Sequence, residues 1–205
     1  MYIPEHFRVR EQADAVRFMR ANPFAILVSP AKDGPFATHL PLVIRETGDR
    51  IYVRGHVAKA NPHWRYLEDN PDCLVIFHGP HAYISPANYG TREAVPTWNY
   101  GAVHVYGRAR LFAEPHELVG VLEELIPSFE PAYAEQWAGL SESYRTAMLR
   151  QIVGFEITAT RIEAKFKISQ NRTREEQETV MRALSGADDS NASGIAALMQ
   201  ENKKG

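Results

Sequence analysis

The sequence has little cysteine, no long apolar run and no excess of either charge. A single cysteine in 205 residues, Cys73, excludes an intrachain disulfide. It stands in the run Cys73-Leu74-Val75-Ile76-Phe77, where a buried, unreactive thiol is expected. No apolar run reaches the roughly 18–20 residues that a bilayer-spanning helix needs. The opening MYIPEHFRVREQ lacks the apolar core of a signal peptide, so a cytoplasmic protein is expected. Lys and Arg number 23 against 25 Asp and Glu, a net charge of −2. That balance argues against a dedicated polyanion binder, whose affinity comes from clustered cations, and leaves room for a local site for one small anion.

Several catalytic and binding patterns are also missing. There is no G-x-S-x-G elbow and no defensible pair of spaced carboxylates, so hydrolytic chemistry has no support. Without G-x-G-x-x-G or a Walker A loop, a phosphate would be held in some other way. Six of the eight histidines lie between His39 and His104, yet HExxH and facial-triad spacings do not occur. His78-Gly79-Pro80-His81 looks like a ligand pair, but Gly-Pro prevents the helical turn that would stack its rings. Haem, which needs only one axial histidine, stays open as an alternative.

What is present reads as strands joined by hairpins, with helices in separate blocks. Residues 11–22 predict a helix closed by Asn22-Pro23. Strands follow over 24–29, 36–45 and 50–55, separated by turn signals at Asp33-Gly34 and Thr47-Gly48-Asp49. Pro41 marks the second of these as an edge or bulged strand. A short helix over 62–68 leads to strands at 73–77 and 82–85, broken at Gly79-Pro80. A loop over 86–94 precedes one bent strand, 96–99 and 102–112. Helices are expected over 115–126 and 141–151, a long strand over 154–168, and two final helices over 173–184 and 190–201. The expected class is therefore α+β, an antiparallel barrel rather than a doubly wound parallel sheet.

Four segments carry candidate binding chemistry. In the first, a strand expected to end at Gly55 opens into a basic loop with His56 and Lys59. A helix then begins at Asn61-Pro62, with Asn61 as N-cap. Backbone N–H groups, a helix start and a lysine aimed at one spot would suit a phosphate; the competing reading is an ordinary capped helix with a solvated lysine. In the second, Val95-Pro96-Thr97-Trp98-Asn99-Tyr100, the indole of Trp98 beside hydrogen-bonding amides would suit a planar heterocycle, against a plain core tryptophan. In the third, Thr38-His39-Leu40-Pro41, the missing N–H of Pro41 leaves an edge open to a ligand or a partner chain. The last is Lys165-Phe166-Lys167-Ile168-Ser169-Gln170-Asn171-Arg172. Its lysines share one strand face, and Gln170, Asn171 and Arg172 follow as a donor-rich turn.

Taken together, MYIPEHF, ATHLPL, GHVAKANPHW, VIFHGPHAYISP, VPTWNYGAVHVYG and KFKISQNR resemble the PaiB-type family, described as FMN-binding negative transcriptional regulators. The resemblance runs from Met1 to about Arg172. It implies an antiparallel split β-barrel related to the pyridoxamine-phosphate oxidase barrels, over 1–172, with 173–205 as a helical extension packed on or exchanged with the barrel. It further implies a homodimer holding FMN at the subunit boundary. Gly55, His56, Lys59 and Asn61 would hold the phosphate, Thr38 and His39 would approach from the neighbouring strand, and Trp98, Lys167, Gln170 and Asn171 would complete the contacts. The segment from Gly55 to Pro62 has no hydroxyl, which predicts weak retention of the flavin.

The resemblance implies a regulatory role, with a flavin-dependent oxidoreductase or a haem-handling barrel as alternatives; the residues supply no evident general acid or nucleophile, although a flavin carries its own redox chemistry. Direct DNA binding should be weak at most. The connector between the last two helices carries Asp188-Asp189, the final helix is apolar enough to suit packing, and the Lys203-Lys204 tail is short.

Overall fold

The computed structural model describes residues 1–202; the Lys203-Lys204 tail lies outside the described residues. The chain forms α1 (Gln12–Ala21), β1 (Phe24–Ser29), β2 (Phe36–Pro41), β3 (Val43–Thr47), β4 (Arg50–Ala58), α2 (His63–Asp69), β5 (Asp72–Ile84), β6 (Thr97–Phe112), α3 (Pro115–Phe129), α4 (Tyr133–Gly139), α5 (Glu142–Leu149), β7 (Ile152–Lys167), α6 (Arg174–Ser185) and α7 (Ser190–Asn202). The strands are hydrogen-bonded in the order β2-β1-β5-β6-β7-β4-β3. Every pairing with a resolved register is antiparallel: β1 with β2 and β5, and β4 with β3 and β7. No helix among the described residues is long and apolar enough to cross a membrane.

Three strand boundaries differ from the sequence expectation, two of them for a tertiary reason. The single strand expected over 36–45 is two. Leu42 is buried and donates its N–H to the Pro23 carbonyl (2.9 Å), which turns the chain from pairing with β1 to pairing with β4. β2 and β3 consequently end the strand order, so the Pro41 segment is an edge as expected. The break at Gly79-Pro80 does not occur, and β5 runs through it. β4 continues past Gly55 to Ala58, because residues 55–58 keep pairing with Phe155, Gly154, Val153 and Ile152. Helix α4 lacks a buried residue, so no apolar periodicity announced it.

The chain divides into two compact units. One comprises Met1–Phe18, His78–Val103 and the described residues from Glu163 onward; the other comprises Met19–Phe77 and His104–Ile162. In the first, α7 buries Ala192, Ile195, Ala196 and Met199, as its apolar composition predicted, and Thr173 closes a capping box with Glu176 at the start of α6. In the second, Phe112, Leu118, Val121, Leu125 and Leu149 form a core under α3 and α5. Cys73 is a buried core thiol, pushed up to about 12 by burial and by the neighbouring Asp72.

Candidate functional site

In the Met19–Phe77, His104–Ile162 unit, a polar chain is built around His63 at the start of α2. His63 is fully buried. Its Nε2 lies 2.9 Å from Ser29 Oγ and its Nδ1 2.7 Å from Thr38 Oγ1. Thr38 Oγ1 also accepts from Asn61 Nδ2 (3.2 Å), and Asn61 Oδ1 accepts the His63 N–H (3.0 Å). In the neutral ring one nitrogen donates and the other accepts, and the hydroxyls of Ser29 and Thr38 can serve either role. Burial pushes His63 down to about 4, so the ring is neutral at pH 7. With both nitrogens engaged and no exposure, this histidine ties β1, β2 and the β4–α2 loop together and does not act as an acid or base towards a ligand.

The loop differs from the expected anion cradle in its backbone. Asn61 takes the capping role predicted for it, with Pro62 in helical geometry at φ −68° and ψ −8°. The N–H of Lys59, however, donates to the Gln151 carbonyl (2.7 Å), and that of Asn61 to the Ala58 carbonyl (2.8 Å). Those donors are not free. What the loop presents outward is the Lys59 side chain, which is exposed and has no carboxylate partner among the described residues. Trp64 fixes the loop by donating its indole N–H to the Lys59 carbonyl (3.0 Å).

Gly55 and His56 lie within β4 rather than at its end. A Cβ on Gly55 would come 2.6 Å from Leu42 Cδ2 and 3.1 Å from the Phe155 ring, so the glycine is required by packing. His56 is half-buried, its Nδ1 has no partner, and burial pushes its pKa down. Thr38 and His39 alternate along β2: Thr38 joins the His63 chain, while His39 is exposed near Phe24.

The other four expected residues fall in the other unit. Trp98 is no core tryptophan. Its ring is 53% exposed on an outward face shared with His81 and Tyr83, each 6.0 Å away between ring centres. Its neighbour Asn99 points to the opposite face of β6 and is fully buried, donating from Nδ2 to Ser169 Oγ (2.9 Å). Lys167 Nζ donates to the Trp98 carbonyl (2.8 Å) and to Thr97 Oγ1. Burial, and secondarily Lys165, pushes Lys167 below the usual lysine range. Gln170 uses its amide on its own turn, accepting the Ile168 N–H and donating to the Phe166 carbonyl, so it offers little to a ligand. Asn171 is exposed and lines a cavity of about 200 Å³ with Asn99, Lys167, Ser169 and Arg172.

Sequence reasoning passed over Ser29, His63 and Tyr89. It named Asn99 and Ser169 only as parts of their motifs, and Arg172 only as part of the donor-rich turn. The available signal was alternation along VPTWNY, which places Asn99 opposite Trp98. Among the described residues no three His, Cys, Asp or Glu side chains cluster as a metal site would require.

An antiparallel sheet with helices in separate blocks, its two outer strands meeting at a proline-marked turn, defines an α+β split β-barrel. Solved structures share this fold. The flavocytochrome Anf3 from Azotobacter vinelandii superimposes with a TM-score of 0.60 at 18% identity, over 81% of this chain and 72% of that one. The FAD and heme binding protein from Mycobacterium smegmatis gives 0.59 at 15%, over 83% and 78%. The family follows from sequence: residues 1–161 match the model described as "Putative FMN-binding domain", and the chain belongs to that family. It is 40% identical to "Protease synthase and sporulation protein PAI 2" of Bacillus subtilis (strain 168), over 100% of this chain and 99% of the relative. The PaiB-type resemblance read from the motifs is thereby borne out.

Proposed function

We propose that this chain is a flavin-binding regulatory protein of the PaiB type, a homodimer that holds FMN or a flavin-like ligand at the boundary between its subunits. The observation that carries the reading is the match of residues 1–161 to an FMN-binding domain. The PaiB-type resemblance implies the regulatory role, and negative transcriptional regulation is the form of it that we propose; the whole-length relative extends that resemblance over the full chain. The barrel of 1–172 would bind the ligand, with 173–205 as its helical extension.

Each unit carries groups of the kinds a flavin needs. A planar ring system needs a flat apolar face, partners for its polar edge, and a cation for its phosphate. The outward indole of Trp98 supplies such a face, next to His81, whose Nδ1 is buried without a partner. The unpaired ammonium of Lys59 supplies a cationic end, on a loop that Asn61 ties to Thr38 and His63. Lys167 positions the Trp98 strand through its bonds to Thr97 and the Trp98 carbonyl, Asn171 adds a donor, and Gln170 shapes their turn. Exposed Trp98, Tyr83 and Val95 leave apolar surface that a second copy would cover. A bound flavin supplies one- and two-electron redox chemistry. The chain's own groups bind and orient it, and Lys59 neutralises one phosphate charge. With the loop's N–H donors engaged within the protein, retention should be weak.

Absorbance spectra of the fresh protein, before and after addition of FMN, test the reading. A protein that runs at dimer mass, and added FMN whose flavin bands shift and sharpen, are expected. Absence of any uptake would refute it. Bleaching of the bound flavin by a reduced nicotinamide would move the assignment to an oxidoreductase, and a Soret band after haem addition would move it to haem handling.

A further inference from the structure

The cavity beside the Lys167–Arg172 turn carries an inference beyond the flavin reading. Two of its lining side chains are buried without hydrogen-bond partners. Asn99 is fully enclosed, and while its Nδ2 is used on Ser169, its Oδ1 has none. Tyr89 is 8% exposed and its hydroxyl has none either. Native proteins rarely leave such groups unmet, and an acceptor and a hydroxyl orphaned around one cavity mark a place for a ligand.

The charges agree. Arg172 sits over the Tyr89 ring, its guanidinium carbon 3.9 Å from the ring centre, and its guanidinium has no carboxylate partner among the described residues. Lys167 has two bonds, to Thr97 and Trp98, and an ammonium has three N–H donors. Among the described residues lining the cavity there is no acid. The turn that brings these groups together is itself unusual. Ser169 sits at φ 68°, in the left-handed region, and is the only non-glycine residue there among those described. An ordinary residue held in that conformation is a mark of sites where geometry serves a ligand.

We propose that this cavity binds a small carboxylate that also carries a hydrogen-bond donor, a hydroxy- or amino-carboxylic acid. The carboxylate meets Arg172 and the third N–H of Lys167, and the ligand's own O–H or N–H donates to Asn99 Oδ1, with the Tyr89 hydroxyl as second partner. At about 30 Å³ per water, the cavity of about 200 Å³ has room for about six or seven non-hydrogen atoms. It is smaller than the roughly 300 Å³ at which sites for drug-sized ligands begin, so it does not enclose a flavin.

Isothermal titration of the full-length protein with L-lactate, L-serine, propionate and inorganic phosphate tests this, with Tyr89→Phe and Arg172→Gln as variants. Saturable one-to-one binding of lactate or serine is expected, with propionate, which lacks the donor, at least about tenfold weaker. Each variant should lose at least about tenfold in affinity for the bound acid and still take up FMN as the unaltered protein does. Tyr89→Phe removes one oxygen only and so separates a binding defect from misfolding. The proposal is overturned if neither acid saturates, if propionate or phosphate binds as well as the better acid, if both variants bind normally, or if FMN displaces the acid. A protein that binds the acid and takes up no flavin would refute the flavin reading alone.

Discussion

The neutral, buried His63 makes stability depend on pH in a window set by its own shift. In the unfolded chain the imidazole titrates near its ordinary 6.5; in the fold, burial pushes it down to about 4. Between these values the unfolded state binds more protons, so stability is full above pH 6.5 and falls as the pH drops. The loss levels off below about pH 4, where both states are protonated. With about 1.4 kcal/mol per pKa unit, the complete loss approaches about 3 kcal/mol, of which about 2 kcal/mol is gone by pH 5. Urea unfolding at pH 8 and pH 5 measures the effect. The comparison protein is His63→Gln, whose amide can still donate and accept between Ser29 and Thr38. Half-buried His56 and His104 and exposed His78 are also pushed down, first by desolvation, and act equally in both proteins, so the difference between the two isolates His63. The variant should lose about 2 kcal/mol less than the unaltered protein between pH 8 and pH 5. Equal losses would refute the reasoning.

Three further outcomes follow from the same coordinates. Gly55→Ala places a Cβ 2.6 Å from Leu42 and should lower stability by about 1–3 kcal/mol through overpacking; a urea midpoint at or above that of the parent would contradict the packing role. Arg54 is buried between Glu124 and Glu156, so Arg54→Ala leaves Glu156 short of its partner and should cost about 3 kcal/mol, with Arg54→Ala/Glu156→Gln recovering part of that in a double-mutant cycle. DNA binding should be weak and should vanish with added salt in a fluorescence-anisotropy titration, given net charge −2; tight operator binding at physiological salt would overturn that expectation.

Most strands were legible because their alternation and turn residues are local properties. β1 was read residue for residue, and the apolar stripe of α3 predicted its buried Leu118, Val121 and Leu125. What failed was decided at a distance. The change of partner at Leu42 depends on the Pro23 carbonyl, and the continuation of β4 beyond Gly55 depends on β7 nearly a hundred residues later. For the site, Asn61 was legible as a cap because Asn-Pro is a local signal. His63 was not, since nothing in Asn-Pro-His-Trp states that Ser29 and Thr38 will enclose the ring. Gln170 read as a free donor because an amide in a turn looks available until its own backbone is seen to use it. The orphaned atoms of Tyr89 and Asn99 belong to the same class, visible only once burial is known.

The central claim is that this barrel takes up a flavin phosphate on the Lys59 loop. Quenching of FMN fluorescence, titrated with the unaltered protein and with Lys59→Ala, tests it most directly. Saturable quenching is predicted for the unaltered protein, with affinity about tenfold lower in the variant, the loss expected for one charge-assisted contact. Absence of quenching, or equal affinities for the two proteins, would contradict it.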